Sequence, residues 1–284
     1  MITKNHFIKK ILGYVAIFCI ILAFFLLSLP AEAASGNIDD IEFTETIVET
    51  TDYEEPQETE AIIGHLFVYK PKNYSANKKY DTLYLFEGLK SSENEALDNA
   101  GIKSLEKLFQ GGMRDILVVV VPYDIYQNYT FDEIIATIDN SYSTNKKSSG
   151  RIIAGFSNGA YYIWNAVLTS RKYNAMADTY IPMSPIGAKK AISGNFYAIK
   201  KASDRIKIYN SCGDEGVEEN YNDLYSGIEQ MGMILENAEK YGYQENVNIF
   251  QYQAEGGHDW QQCWNVLSEY LPKILRENDT TTNK

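Results

Sequence analysis

The sequence predicts an α/β fold: a mostly parallel central sheet with helices on both faces. Two observations carry this. The runs LVVVV (117–121) and IIAG (152–155) are apolar at every position, as strands covered on both sides must be. Short apolar runs also alternate with longer helix-like segments from Ala61 onward, the spacing of a layered α/β domain.

The elements follow in order. Strands are expected at 62–70, 82–87, 115–121, 151–155, 180–184, 205–211 and 246–252. Helices are expected near 101–110, 130–140, 158–170, 219–242 and 260–275. The first strand is followed by the turn-like KPKNYSANKKYD and is a candidate for antiparallel pairing. In such sheets functional groups collect at the carboxyl ends of the strands.

Outside this core the chain changes character. Lys4, Lys9 and Lys10 precede an apolar run from Ile11 to Pro30, and Ala31-Glu32-Ala33 supplies the small residues of a signal-peptidase site. Residues 1–33 are expected to be a signal peptide cleaved after Ala33, directing the protein to secretion or the cell surface. Uncleaved, the run is long enough to anchor the chain in a membrane, the one route to a membrane partner. Cys19 lies in this run without the small preceding residue of a lipid-attachment site. Residues 34–60 are acidic, contain no Lys or Arg, and are expected to be a flexible linker with at most a short strand around Ile47 and Val48. The main folded domain is placed at 61–276, and 277–284 is expected to be a disordered tail.

Formal net charge is −12, which disfavours phosphate backbones and excludes nucleic acid as an expected partner. Besides Cys19, only Cys212 and Cys263 are present, too few for a disulfide scaffold. They either bridge two loops or stay as buried thiols, the preferred reading.

The chemistry centres on RIIAGFSNGA (151–160). Ser157 follows a strand and precedes a helix, flanked two residues away on each side by Gly155 and Gly159. A turn this tight forces the serine into a strained conformation that lifts Oγ above the sheet and leaves no room for flanking side chains. The N–H of Asn158 then faces the position of a substrate oxyanion. The base is sought among three histidines. His6 is in the signal segment and His65 in the first strand. His258, in AEGGHDWQQCW between the last strand and the last helix, stands where a general base belongs. The orienting acid is expected after the strand ending near Ser211. Four carboxylates crowd that loop; Asp214 is chosen as nearest the strand end, with Glu215 and Glu218 as alternatives. Asp259 is expected to be a helix N-cap. The second oxyanion donor is expected from the backbone of Gly88 or Leu89. Trp260 and Tyr161 are candidate substrate contacts, with Trp264 and Tyr162 nearby in sequence. No metal or cofactor is implied.

LFVYKPKNYSANKKYDTLYLFEG, IDNSY followed by RIIAGFSNGA, and EGGHDWQQCW together resemble the esterase D-like family of α/β-hydrolases. That family includes S-formylglutathione hydrolase, feruloyl and acetyl-xylan esterase domains, and enterobactin esterases. The resemblance spans roughly residues 62 to 275. It implies the α/β-hydrolase fold, with Ser157 as nucleophile and His258 as base. Three positions depart from the family pattern. Glu87-Gly88 replaces His-Gly, Ser157-Asn158-Gly159-Ala160 replaces Ser-Met-Gly-Gly, and Gly216 occupies the usual place of the acid.

The expected function is therefore a secreted serine esterase acting on carboxylic esters, with small-molecule or polysaccharide esters, including acyl or feruloyl groups on polysaccharide, as substrates. Two alternatives stand beside it: an acyltransferase on the same scaffold, and a non-catalytic carbohydrate-binding or surface protein that keeps the fold.

Overall fold

In the computed structural model, the structure describes residues 36–49, 57–89, 94–185, 205–216, 227–240 and 243–281, all within one unit, Gly36–Lys284. The expected signal segment, Glu218 and the start of the helix expected over 219–242 lie outside the described residues.

The chain builds one eight-stranded sheet with the order β1-β2-β4-β3-β5-β6-β7-β8. β1 is Asn37–Glu49, β2 Gln57–Lys70, β3 Thr82–Phe86 and β4 Leu117–Val121. β5 is Arg151–Phe156, β6 Thr179–Met183, β7 Lys207–Gly213 and β8 Ile249–Ala254. β1 pairs antiparallel with β2, and β2 antiparallel with β4; every other neighbouring pair is parallel. The mixed sheet, with its first long strand reversed, matches the expected architecture.

Helices cover both faces. They are α1 (Asn99–Gln110), α2 (Tyr123–Asn128), α3 (Phe131–Ser141), α4 (Asn158–Tyr162), α5 (Gly227–Lys240) and α6 (Trp260–Thr281). Alternation along β3 divides the core. Leu83 and Leu85 pack with Leu105 of α1 and with Val266, Leu267 and Leu271 of α6. Tyr84 and Phe86 pack on the opposite face with Ile134 and Ile138 of α3 and with Ile163 and Trp164. All five residues of β4 are fully buried. Each such side chain contributes roughly 1.5–3 kcal/mol relative to exposure, which is why the strand carries no polar residue.

Local signals explain the helix starts. Asp98 caps α1 by accepting the N–H groups of Ala100 and Gly101 at 2.9 and 2.8 Å. Thr130 donates its N–H to Glu133 Oε2 at 2.7 Å, the backbone half of a capping box at the start of α3. Phe131, Ile134, Ile135 and Ile138 then form its buried stripe.

Three expectations are corrected. Residues 34–60 are not a flexible linker throughout: Asn37–Glu49 form the edge strand β1, and β2 begins at Gln57. Its acidic side chains find partners on the neighbouring elements. Asp39 pairs with Lys70 at 2.7 Å and accepts the Tyr142 hydroxyl at 3.0 Å, and Asp40 meets His65 Nδ1 at 2.8 Å. Ile41 and Phe43 add apolar packing on one face. The ladder shifts register between Phe43 and Thr44, where β2 carries an extra residue beside Gly64. The helix expected over 158–170 is α-helical only to Tyr162 and continues as a single π-helical turn, Ile163–Val167. The tail expected from 277 begins later: α6 runs to Thr281, and residues 277–281 hold no Gly or Pro to stop it.

Candidate active site

The parallel pairing sets the site. Phe86 and Gly155 are partners in the β3–β5 ladder, so both strands end at the same level, and Gly88 and Ser157 emerge side by side. A Cβ at Gly88 would lie 3.6 Å from the Ser157 Cβ, ordinary van der Waals contact. Sequence reasoning places both residues at this edge, and the structure brings them together.

Ser157 has φ 54° and ψ −113°. A non-glycine residue in that conformation costs about 1–3 kcal/mol and persists only when its surroundings impose it. Here they do. Its N–H donates to the Met183 carbonyl at the end of β6 (3.0 Å), and its carbonyl accepts the Tyr161 N–H (3.0 Å). The flanking glycines leave no space for a side chain. A Cβ at Gly155 would fall 2.6 Å from the Gly159 carbonyl carbon, and one at Gly159 would fall 2.1 Å from the Phe86 oxygen. Both glycines are thus required by backbone approach. Asn158 supplies the first N–H of α4 beside the serine.

His258 sits on the loop between β8 and α6. Its ring lies 4.5 Å from that of Phe156, the residue before Ser157, so the His258 loop folds back onto the glycine–serine turn. Trp260 joins the same group, 5.3 Å from Phe156. Its Nε1 is buried and has no hydrogen-bond partner among the described residues. Asp259 caps α6, accepting the Gln262 N–H at 2.9 Å, as expected.

The loop carrying Asp214 is tied to the loop carrying His258 through Gly256, which has φ 119°. Asp214 Oδ1 accepts the Gly256 N–H at 2.9 Å, and the Gly256 carbonyl accepts the N–H groups of Asp214 and Glu215 at 3.0 and 3.2 Å. Asp214 therefore fixes the main chain two residues before His258.

The remaining candidates separate cleanly. Leu89, the residue after Gly88, is 59% exposed. Tyr161 is half-buried on α4. Tyr162 belongs to packing: its ring lies 5.3 Å from Phe86 and 4.9 Å from Tyr126, and burial pushes its hydroxyl pKa up. Trp264 is also structural, buried with its Nε1 donating to the Ala96 carbonyl at 2.8 Å. Cys212 and Cys263 are buried thiols. His65 is engaged by Asp40 on the β1–β2 ladder. Sequence reasoning missed Phe156. Its position inside the glycine–serine motif was visible, but its contact with His258 depends on a loop a hundred residues away.

No protein-family model matches the chain. Solved structures do. A mutant of the feruloyl esterase module from Clostridium thermocellum, complexed with sinapinate, is 18% identical with TM-score 0.61, covering 86% of this chain and 89% of that one. A ferulic acid esterase is 17% identical with TM-score 0.60, covering 84% and 99%. S-formylglutathione hydrolase from Staphylococcus aureus is 16% identical with TM-score 0.54, covering 85% and 98%. The chain has the α/β-hydrolase fold. In this hydrolase scaffold the strained serine and the histidine loop occupy the carboxyl edge of the sheet, where such folds place their sites.

Proposed function

We propose that the protein is a serine esterase acting on carboxylic esters. The observation that carries the reading is the backbone of Ser157, held in a strained conformation between two glycines that admit no Cβ. Strain of this kind projects Oγ out of the sheet and has no evident packing role.

In the proposed mechanism Ser157 Oγ attacks the ester carbonyl carbon while His258 takes its proton. The tetrahedral oxyanion is held by main-chain N–H groups of Asn158 and of Gly88 or Leu89. The C–O bond to the alcohol breaks as His258 returns the proton to the leaving oxygen. Water, activated by His258, then releases the acid and restores Ser157. Asp214 is assigned as the acid that orients His258, supported by its attachment to the base's loop at Gly256. No metal is invoked in any step.

For the substrate we propose acyl groups of feruloyl type carried on polysaccharide. Support comes from the feruloyl and ferulic acid esterases that share the fold and from the rings of Phe156 and Trp260 beside His258. Export through residues 1–33 is part of the same proposal and suits a polymeric substrate outside the cell. Treatment with a fluorophosphonate tests the nucleophile: rapid modification of Ser157, lost in His258→Ala, is expected. Absence of labelling at Ser157 would overturn the assignment.

A further inference from the structure

Glu87 is a carboxylate with no exposed surface, at the carboxyl end of β3 and one residue before Gly88. Burying a charge is costly unless hydrogen bonds replace water, and an apolar residue of similar volume often fills such a position at no loss of stability. Its presence at a fully buried position calls for a role beyond packing, and its contacts show one. Oε1 accepts the N–H of Ala96 at 2.8 Å. Ala96 is anchored in turn, its carbonyl accepting the Trp264 Nε1–H of α6 at 2.8 Å. A Cβ at Gly101 would strike that same carbonyl at 2.1 Å, so α1 closes over it.

The main chain of Glu87 is held equally firmly. Its N–H donates to the Val121 carbonyl at 3.0 Å, and its carbonyl accepts the Tyr126 hydroxyl at 2.8 Å. The peptide group is planar and trans, so fixing the Glu87 carbonyl fixes the direction of the Gly88 N–H in the same unit. Gly88 lies against Ser157, within 3.6 Å measured from the Cβ it would carry. The residue that immobilises Gly88 therefore governs the oxyanion-forming main chain.

We infer that Glu87 is a positioning residue for the oxyanion site: its buried carboxylate joins Gly88, the start of the loop after β3, to Ala96 at its end. The inference rests on the serine-esterase reading.

The test compares Glu87→Gln, which keeps an acceptor oxygen, with Glu87→Met, which keeps length and volume but has no oxygen. Both are measured in the full chain on p-nitrophenyl acetate, with folding checked by circular dichroism. Removing an oxyanion donor costs about 10²–10³ in kcat, so a displaced one predicts a loss near 10²-fold in Glu87→Met with KM within about threefold of wild type. Glu87→Gln is expected to stay within about tenfold of the wild-type kcat. Wild-type kcat in Glu87→Met, or an equal loss in both variants, overturns the inference and leaves the esterase reading standing. If Glu87→Met does not fold, Glu87→Gln decides: a loss beyond about tenfold at unchanged KM is the contrary result. A wild type without Ser157-dependent turnover would overturn the esterase reading and this inference with it.

Discussion

The Cβ that any side chain would place at Gly159 lies 2.1 Å from the carbonyl oxygen of Phe86 on the neighbouring strand. The obstruction is backbone, which cannot swing aside, so Gly159→Ala must displace α4 from β3. Overpacking of this sort costs about 3 kcal/mol or more at the upper end of its range. A shift of the elbow by about 1 Å is enough to cost about 10²-fold in turnover. Thermal denaturation and ester hydrolysis of Gly159→Ala check both. Gly232→Ala is the control: among the described residues nothing outside its own stretch of α5 lies within 4 Å of the added Cβ, so it is expected to gain about 0.5–1 kcal/mol.

Asp214 offers a sharp discrimination because its observed partner is the main chain of Gly256. Asn keeps an oxygen that can accept that N–H, though as a neutral and weaker acceptor, so the tether survives Asp214→Asn. Loss of the charge, however, removes the group proposed to stabilise the protonated His258. Asp214→Asn is expected to lower kcat by about 10⁴-fold, with Glu215→Gln and Glu218→Gln within about tenfold of wild type. The steady-state kcat of the three variants is the measurement. A large loss in Glu218→Gln with Asp214→Asn active would move the acid to Glu218.

Trp260 should govern the choice of acyl group. Its ring lies 5.3 Å from that of Phe156, which in turn lies 4.5 Å from His258. Aromatic pairs contribute about 0.5–1.5 kcal/mol beyond area burial, so Trp260→Ala is expected to raise KM for a feruloyl ester by up to about tenfold. The KM for an acetyl ester should change little. Equal changes for both substrates would assign Trp260 to packing alone.

Alkaline pH should unfold the protein before its tyrosines titrate freely. Burial pushes the Tyr69 hydroxyl up to about 12, with Glu106 adding to the effect. Burial also raises Tyr84, Tyr126, Tyr180, Tyr243 and Tyr270. A raised native pKa means the unfolded chain loses its protons first. The stabilisation is complete below the ordinary value of 10.0 and is lost as pH rises through about 12 for Tyr69. Melting temperature should therefore hold steady below pH 10 and fall above it. Tyrosinate absorbance should appear together with loss of ellipticity. A folded protein titrating all its tyrosines near pH 10 would contradict this.

The parts of the fold legible in the sequence are those written in local pattern. The LVVVV run could only be a strand covered on both faces, and Gly155-Phe156-Ser157-Asn158-Gly159 carries its own steric requirement. Apart from the short strand expected around Ile47 and Val48, β1 was illegible for the opposite reason. Asp39 and Asp40 look like a solvated spacer until Lys70, His65 and Tyr142 arrive from as far as 103 residues away. The π-helical turn after Tyr162 also has no signal that periodicity can read. At the candidate site, the proposed roles of Ser157 and His258 rest on residue type and order. The Glu87–Ala96 bond and the Phe156–His258 contact could not be read that way, since each depends on how a loop closes in three dimensions.

The central claim is that Ser157 is an activated nucleophile. It is tested most directly by p-nitrophenyl ester hydrolysis with the full chain beside Ser157→Ala. The account predicts turnover by wild type and a loss of at least about 10³-fold in the variant, the scale seen when a triad member is removed. Equal hydrolysis by both proteins, or none by wild type on acetyl and feruloyl esters alike, would contradict it.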